Sequence, residues 1–498
     1  MKVRSLGKKY MSGLATLEIL IAFTILILCV GGVIIITFGN QSLSTDLEVS
    51  NQAIYKAQKM LEEARILSYF DFNLVNPKIE TEISGPILFT KNIDVKQVDL
   101  FTKEVKSTIA WQSAGRALSL FQTTLVTNRQ AGGTGTCSSV LTGDWKNPIL
   151  TNYEFGKDLV GDPANIFPIS AIEAYKGKLF VSIDNSTSSS LPTFFEFDIS
   201  NPSLPILLGS VDNDSSSIAG PNAIAVTDTY AYVASSKGSN FSTCVSGSCG
   251  QLQIIDVSGP APILKKTFKI PGVTGAGGQA IGKSIFYKNG LVYLGLSKTL
   301  SGPEFNIIDV SNPLSLVYKG GYSVSNAVND IFVKDSKAYI ATPNSENMTI
   351  VDVVNSSSPL RLGGYSPAGG SNGESIYTVG NTVYLGRTFG TNEFHILDAK
   401  NPVSPSITAS KDIGTGTGTS INSLFARDYL AFMITNAKFE VWNILDPVNI
   451  SPWTQNGVIG EFLTLPGKGL AMDCEGNYMY VGSVPVGNKG YISIITAN

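Results

Sequence analysis

The feature that most restricts this chain is a unit that returns about every fifty residues. "FFEFDISNPSLP", "LQIIDVSGPAP", "FNIIDVSNPLS", "MTIVDVVNSSSP", "FHILDAKNPVSP" and "VWNILDPVNISP" align on Asp198, Asp256, Asp309, Asp352, Asp398 and Asp446, spaced 58, 53, 43, 46 and 48 residues apart. "YISIITAN" puts Thr496 in the same column, 50 residues further on. Each unit also holds two alternating strands joined by a tight turn, as in "SIFYKNGLVYLG", and a further strand after the aspartate, as in "RLGGYS". Four short antiparallel strands in a repeat of this length describe propeller blades. The ends of the region favour a closed ring over an open solenoid. Asp144 with Asn147-Pro148 copies the offsets of Asp198 with Asn201-Pro202, and the last unit stops after its "IIT" strand. A strand around 147–160 is therefore expected to complete the last blade and leave no free sheet edge, giving seven blades.

The strands "IIDV", "IVDV" and "ILDA" resemble the LVIVD-repeat β-propellers, over roughly residues 137–498. The resemblance implies a surface or secreted domain without an assigned reaction. The repeating aspartate has a structural explanation, since its carboxylate can accept backbone N–H groups in the turn that follows.

The N-terminus poses a separate question. Leu14 to Phe38 is almost unbroken hydrocarbon, 38 − 14 + 1 = 25 residues, yet it contains Glu18. Lys2, Arg4, Lys8 and Lys9 precede it, so this reading expects a membrane-spanning helix with a cytoplasmic N-terminus and later residues outside. An acid in such a helix is costly and implies a function or a partner. Cleavage after Gly13 would place the new amine of Leu14 four residues from Glu18, on one helix face.

A basic leader, Gly13 and "LATLEILIAFTILIL" resemble the N-terminal segment of type IV prepilins and type II secretion pseudopilins. The resemblance implies cutting after Gly13 by a prepilin peptidase, N-methylation of Leu14, and pairing of Glu18 with the amine of a neighbouring subunit. The family usually has Phe or Met where Leu14 stands. "NQAIYKAQKMLEEARILSYF" continues with helical spacing at Ile54, Ala57, Leu61 and Ala64, so one helix from about residue 14 to about 67 is plausible. The strand pattern after it, through "EVKSTIAWQ" and "ALSLFQTTLV", is similar to the small sheet of PilV- and GspI-like minor pilins.

Composition excludes several classes. Net charge is −3, from 36 basic and 39 acidic side chains, so no nucleic-acid partner is expected. The single histidine, His395, argues against a histidine metal site or a Ser-His-Asp triad, and its column suggests a structural or surface residue. Asp212, Asp214 and Ser216 only faintly suggest a calcium loop, with no closing glutamate. Cys244 and Cys249, in "CVSGSC", are expected to pair, whereas Cys137 and Cys474 are either a disulfide or two free thiols.

The expected architecture is α+β then all-β: leader 1–13, membrane half-helix 14–39, minor-pilin-like head 40–130, Gly-rich linker 131–136 and seven-bladed propeller 137–498. The expected function is that of a pilin-like subunit, non-enzymatic and without cofactor or metal, carrying a propeller for adhesion. Its partners would be prepilin peptidase, other pilin or pseudopilin subunits, the membrane, and an extracellular protein or polysaccharide. Two rivals remain: a static membrane-anchored binding protein, and a carbohydrate-active propeller enzyme, which two carboxylates and an arginine converging at the ring's centre would favour.

Overall fold

The computed structural model describes residues 12–70, 74–99, 102–113, 115–127, 137, 141–155, 168–183, 192–211, 221–235, 250–275, 280–343, 345–388, 390–414, 419–484 and 490–498. Within these ranges, the side chains at 12–19, 34–45, 69–70, 98–99, 102, 127 and 155 lie outside the description. Outside it too fall the linker 131–136, the pair Cys244 and Cys249, the loop with Asp212, Asp214 and Ser216, and the side chains of Leu14 and Glu18 beside Gly13.

The chain divides into two compact units, Met1–Val98 with Thr102–Thr127, and Asp99–Phe101 with Asn128–Asn498. The first holds α1 (Ser12–Phe70) and a sheet of β1 (Lys78–Ser84), β2 (Ile87–Asp99), β3 (Thr102–Ser113) and β4 (Arg116–Thr127), in that order. Val49, Ala53, Ala57, Met60, Leu61 and Ala64 recur at helical spacing and bury one α1 stripe against Phe89, Ile93, Val105, Ile109 and Trp111. Alanines at the contact let the helix approach the sheet closely. Ile54, read from the sequence as part of this stripe, is 38% exposed, and Ala53 takes its place.

Two expectations are corrected here. Among the described residues no helix is long and apolar enough to cross a membrane. Past residue 45 the helix is amphipathic and serves its own sheet. The membrane-spanning pilin helix in the expected fold class, and the single-pass localisation built on it, therefore do not stand.

The second unit is a propeller of seven four-stranded sheets, the sixth with one additional short strand. Blade 1 covers 169–211, blade 2 221–268, blade 3 282–322, blade 4 330–365, blade 5 373–411 and blade 6 423–464. Blade 7 joins three strands within 469–496 to β5 (Ile149–Phe155), its outermost strand. β5 runs antiparallel to Gly490–Thr496 in the register Ile149↔Thr496 to Phe155↔Gly490. The first strand of each blade packs against the first strands of both neighbours, and blade 7 against blade 1, so the ring is closed.

Local chemistry sets each blade. Asn289 and Gly290 both have positive φ (50° and 79°), the two-residue turn whose twist suits a hairpin. Asp309 accepts the Ser311 N–H at 3.0 Å and Asn312 the Leu314 N–H at 3.2 Å, fixing the turn into the outer strand. Blade 6 exchanges these roles. Asn443, not Asp446, pairs with Leu430 in the ladder position that Asp309 and Asp398 hold elsewhere. Asp446 sits in the turn and accepts the Val448 N–H at 3.0 Å. Asp446 was thus aligned three residues out of phase. Between blades, a Cβ on Gly363 would stand 2.4 Å from the Pro402 carbonyl oxygen, so the outer strand of blade 4 needs glycine where the turn of blade 5 docks.

Cys137 and Cys474 form a disulfide across 337 residues of sequence, tying the segment before β5 to the inner strand of blade 7. In a chain-entropy account, closing so long a loop stabilises by about 6 kcal/mol. The Cys137→Ser/Cys474→Ala double variant is expected to lose on the order of 5–10 °C in melting temperature. Calorimetry with and without reductant checks this: the parent should be sensitive, the variant not, and a parent indifferent to reduction would contradict the role.

Candidate functional site

The seven inner strands surround a central channel, and a repeated irregularity decides what faces it. In blades 1, 2, 3, 5 and 7 the inner strand opens with a register shift that leaves Ser170, Asn222, Lys283, Glu374 and Leu470 as extra residues. In blade 4 Asn329 donates to the Ala341 carbonyl although Asp330 already pairs with Ala341, and Asn422 bears the same relation to Ile434 in blade 6. A bulge re-aims a side chain and shifts the alternation by one. Residues three apart therefore face the lumen together.

Apart from Leu470, the bulge residues form a polar mouth, each half-buried and most bonded to the next blade. The Ser170 hydroxyl donates to the Pro221 carbonyl, Asn222 Nδ2 to Gly282 O at 2.6 Å and Asn422 Nδ2 to Gly469 O at 2.7 Å. Lys283 Nζ donates to Asn329 Oδ1, and Asn329 Nδ2 donates to Gly373 O (2.7 Å) and Glu374 Oε2 (2.9 Å). Burial lowers the Lys283 pKa and raises that of Glu374, each partly offset by the other's charge.

Three residues deeper lies a second layer: Phe286, Phe332, Tyr377 and Phe425 on one side, Glu173, Ala225 and Asp473 on the other. The Phe286–Phe332 and Phe332–Tyr377 ring centroids are 5.1 and 4.9 Å apart. Glu173 and Asp473 are surrounded by protein yet keep some accessible surface, because they face the lumen. Burial raises both, Asp473 to about 7 and Glu173 well above the ordinary carboxylate range, with the Asp473 charge adding to the effect on Glu173. Arg427, buried beside them and electrostatically coupled to Asp473, donates to Gly476 O at 3.3 Å. The acids also hold the seam: Asp473 Oδ2 accepts the Ala174 N–H at 2.7 Å and Glu475 Oε1 the Gly177 N–H at 2.6 Å.

These buried acids imply a pH dependence. Asp330 and Glu440 are also pushed up to about 7, chiefly by burial. With folded pKa values above the unfolded ones of about 4, the folded state holds more protons between pH 4 and 7. Stability therefore falls as pH rises through that window. From pH 8 to 6, Asp330 and Glu440 each add about 1 kcal/mol, and Asp473 acts in the same direction. His395, lowered to about 4 by burial and by Arg387, opposes this by about 1 kcal/mol near pH 6. The melting temperature should rise between pH 8 and 6, and less steeply in Asp330→Asn. A flat or falling profile would contradict the assignment.

Of the sequence-derived candidates, the structure joins Cys137 to Cys474. Those two and Asp473 lie close together, but the sulfurs bond each other and offer no thiolate for a metal. His395 is buried, 4% exposed, in a network between blades 4 and 5 rather than at the surface. Sequence reading missed the channel layers: Lys283, Asn329 and Glu374 are distant in sequence, and a bulge leaves no mark in simple alternation.

Residues 197–213, 301–324 and 327–366 match the LVIVD repeat, falling on blades 1, 3 and 4. The chain carries an LVIVD-repeat β-propeller-like domain. The solved structures that resemble it include the following two. One is a functionally unknown protein from Desulfotomaculum acetoxidans DSM 771, 12% identical, with 64% of this chain and 89% of that one covered and a TM-score of 0.36. The other is the computationally designed Ika4 protein, 14% identical, with 35% and 99% covered and a TM-score of 0.25. No curated protein matches the chain significantly.

Proposed function

We propose that the LVIVD propeller is a recognition module that binds a polysaccharide or another protein at the polar mouth of its channel, without turning it over. The observation that carries this reading is the bulge-aimed ring, in which most side chains are pinned to the next blade and so held ready for a ligand. Glu173 interacts electrostatically with Asp473, and Asp473 with Arg427, the grouping a hydrolase reading would use. Asp473, however, is engaged by the Ala174 N–H and Arg427 by a carbonyl, which suits holding the seam. Saturable binding of the full chain to immobilised polysaccharides or proteins, with no release of reducing ends, is the expected result. Release of reducing ends that disappears in Glu173→Gln would overturn it.

The finer reading gives the first unit a role in assembly, with adhesion as the outcome. Gly13 and Leu14 would mark the cut by a prepilin peptidase, and Glu18 would pair with the amine of a pilin-type neighbour. Support comes from the pattern of residues 12–38 and from the packing of α1 on its four-stranded sheet. Mass spectrometry of the mature N-terminus tests it: N-methylated Leu14 is expected, and an intact Met1–Gly13 leader would sink it.

A further inference from the structure

The chemistry of the mouth selects among ligands. It presents hydrogen-bonding valences that the fold does not consume. Among the described residues, Asn222 and Asn422 use Nδ2 on neighbouring carbonyls and keep Oδ1. Lys283 uses one of its three N–H donors on Asn329, and Glu374 uses one carboxylate oxygen. Donors and acceptors thus share one ring, as a polyhydroxylated ligand requires. The charges of Lys283 and Glu374 oppose each other, with Lys468 a further cation acting on Glu374, so the rim mixes both signs. Three residues along the strands from Asn329 and Glu374 lie the packed rings of Phe332, which is buried, and Tyr377, which is half-buried. Amide and charged groups around an aromatic floor are suited to sugar hydroxyls above and sugar C–H faces below.

Building on the recognition reading above, we infer that the mouth binds the end of a neutral saccharide, with hydroxyls bonded to Asn222, Lys283, Glu374 and Asn422 and a ring seated toward Phe332 and Tyr377. This names a ligand class and a residue set that the LVIVD match does not supply.

The test uses the full chain on an array of neutral and acidic oligosaccharides and on a panel of immobilised proteins, followed by titration calorimetry with the best oligosaccharide. Asn422→Ala and Glu374→Gln, the latter of nearly unchanged shape, should each weaken a neutral saccharide by about tenfold or more while the melting temperature falls by no more than about 3 °C. Lys283→Met provides a third variant that keeps the side-chain stem, so a folding defect in one does not remove the test. Binding confined to acidic glycans, or neutral binding indifferent to all three variants, overturns the saccharide assignment while leaving a recognition module. So does binding to a panel protein with no glycan bound. No binding to any glycan or protein overturns both.

Discussion

A chain lacking residues 137–155 but otherwise intact is expected to give little soluble monomer. The reason lies in what those residues cover. Gly490–Thr496 would lose all seven of its register partners in β5, leaving Ile492, Ile494 and Ile495 on a blade with an open edge. Trp145, 2% exposed and stacked edge-on at 5.0 Å to Phe432 of blade 6, would leave with them, as would the disulfide. So would the mutual backbone bonds of Asp144 and Asn498, which continue the ladder to the last residue of the chain. Burial of Trp145 alone is worth about 2–3 kcal/mol, and the disulfide about 6, so the total exceeds much of what a domain has in reserve. An open edge is also a template for pairing between chains. Size exclusion with light scattering checks this: aggregates are expected, partly rescued by a peptide of residues 141–155. A monomer of unchanged melting temperature would refute the closing role.

Arg387→Met is expected to cost about 3–5 kcal/mol, because it strips a buried hub of its charge-assisted bonds. Arg387 is 1% exposed. Its Nε donates to Asn347 Oδ1 at 2.8 Å, its Nη1 to Asn392 O at 3.1 Å, and its Nη2 to Gly369 O at 3.4 Å. Nη1 also lies 3.0 Å from His395 Nε2. Since a guanidinium can only donate, Nε2 must accept; the neutral ring then carries its proton on Nδ1, which faces the Tyr365 hydroxyl at 3.0 Å. Losing the Arg387 charge should also let the His395 pKa climb from about 4 toward its ordinary value. Thermal denaturation and an NMR titration of the only histidine read the two effects separately. A melting temperature within 2 °C of the parent, with His395 unmoved, would contradict the network.

The blade count and the closing strand were legible because they rest on local chemistry. The Asx turn after Asp144 uses the same offsets as that after Asp198, so the N-terminal fragment announced its place in the ring. Phase failed where that chemistry is shared between two residues. Asn443 and Asp446 can each cap a turn, and only pairing with Leu430 shows which stands in the ladder. The mouth was hidden for another reason: Lys283 and Glu374 meet because each strand begins with a bulge, and bulges are features of register. Glu173 and Asp473 come together across the seam from positions 300 residues apart. At the N-terminus, the hydropathy of Leu14–Phe38 suggested a span that no helix among the described residues provides.

The central claim is that an N-terminal strand completes blade 7, closing the ring and thereby shaping the channel. Hydrogen exchange read by mass spectrometry on Ile149–Phe155 tests it most directly. The account predicts slow exchange there, matching Gly490–Thr496 and Tyr478–Ser483, and faster exchange in all three segments once the Cys137–Cys474 bond is reduced. Exchange of 149–155 within seconds, while the other two segments stay protected, would show a ring that closes some other way.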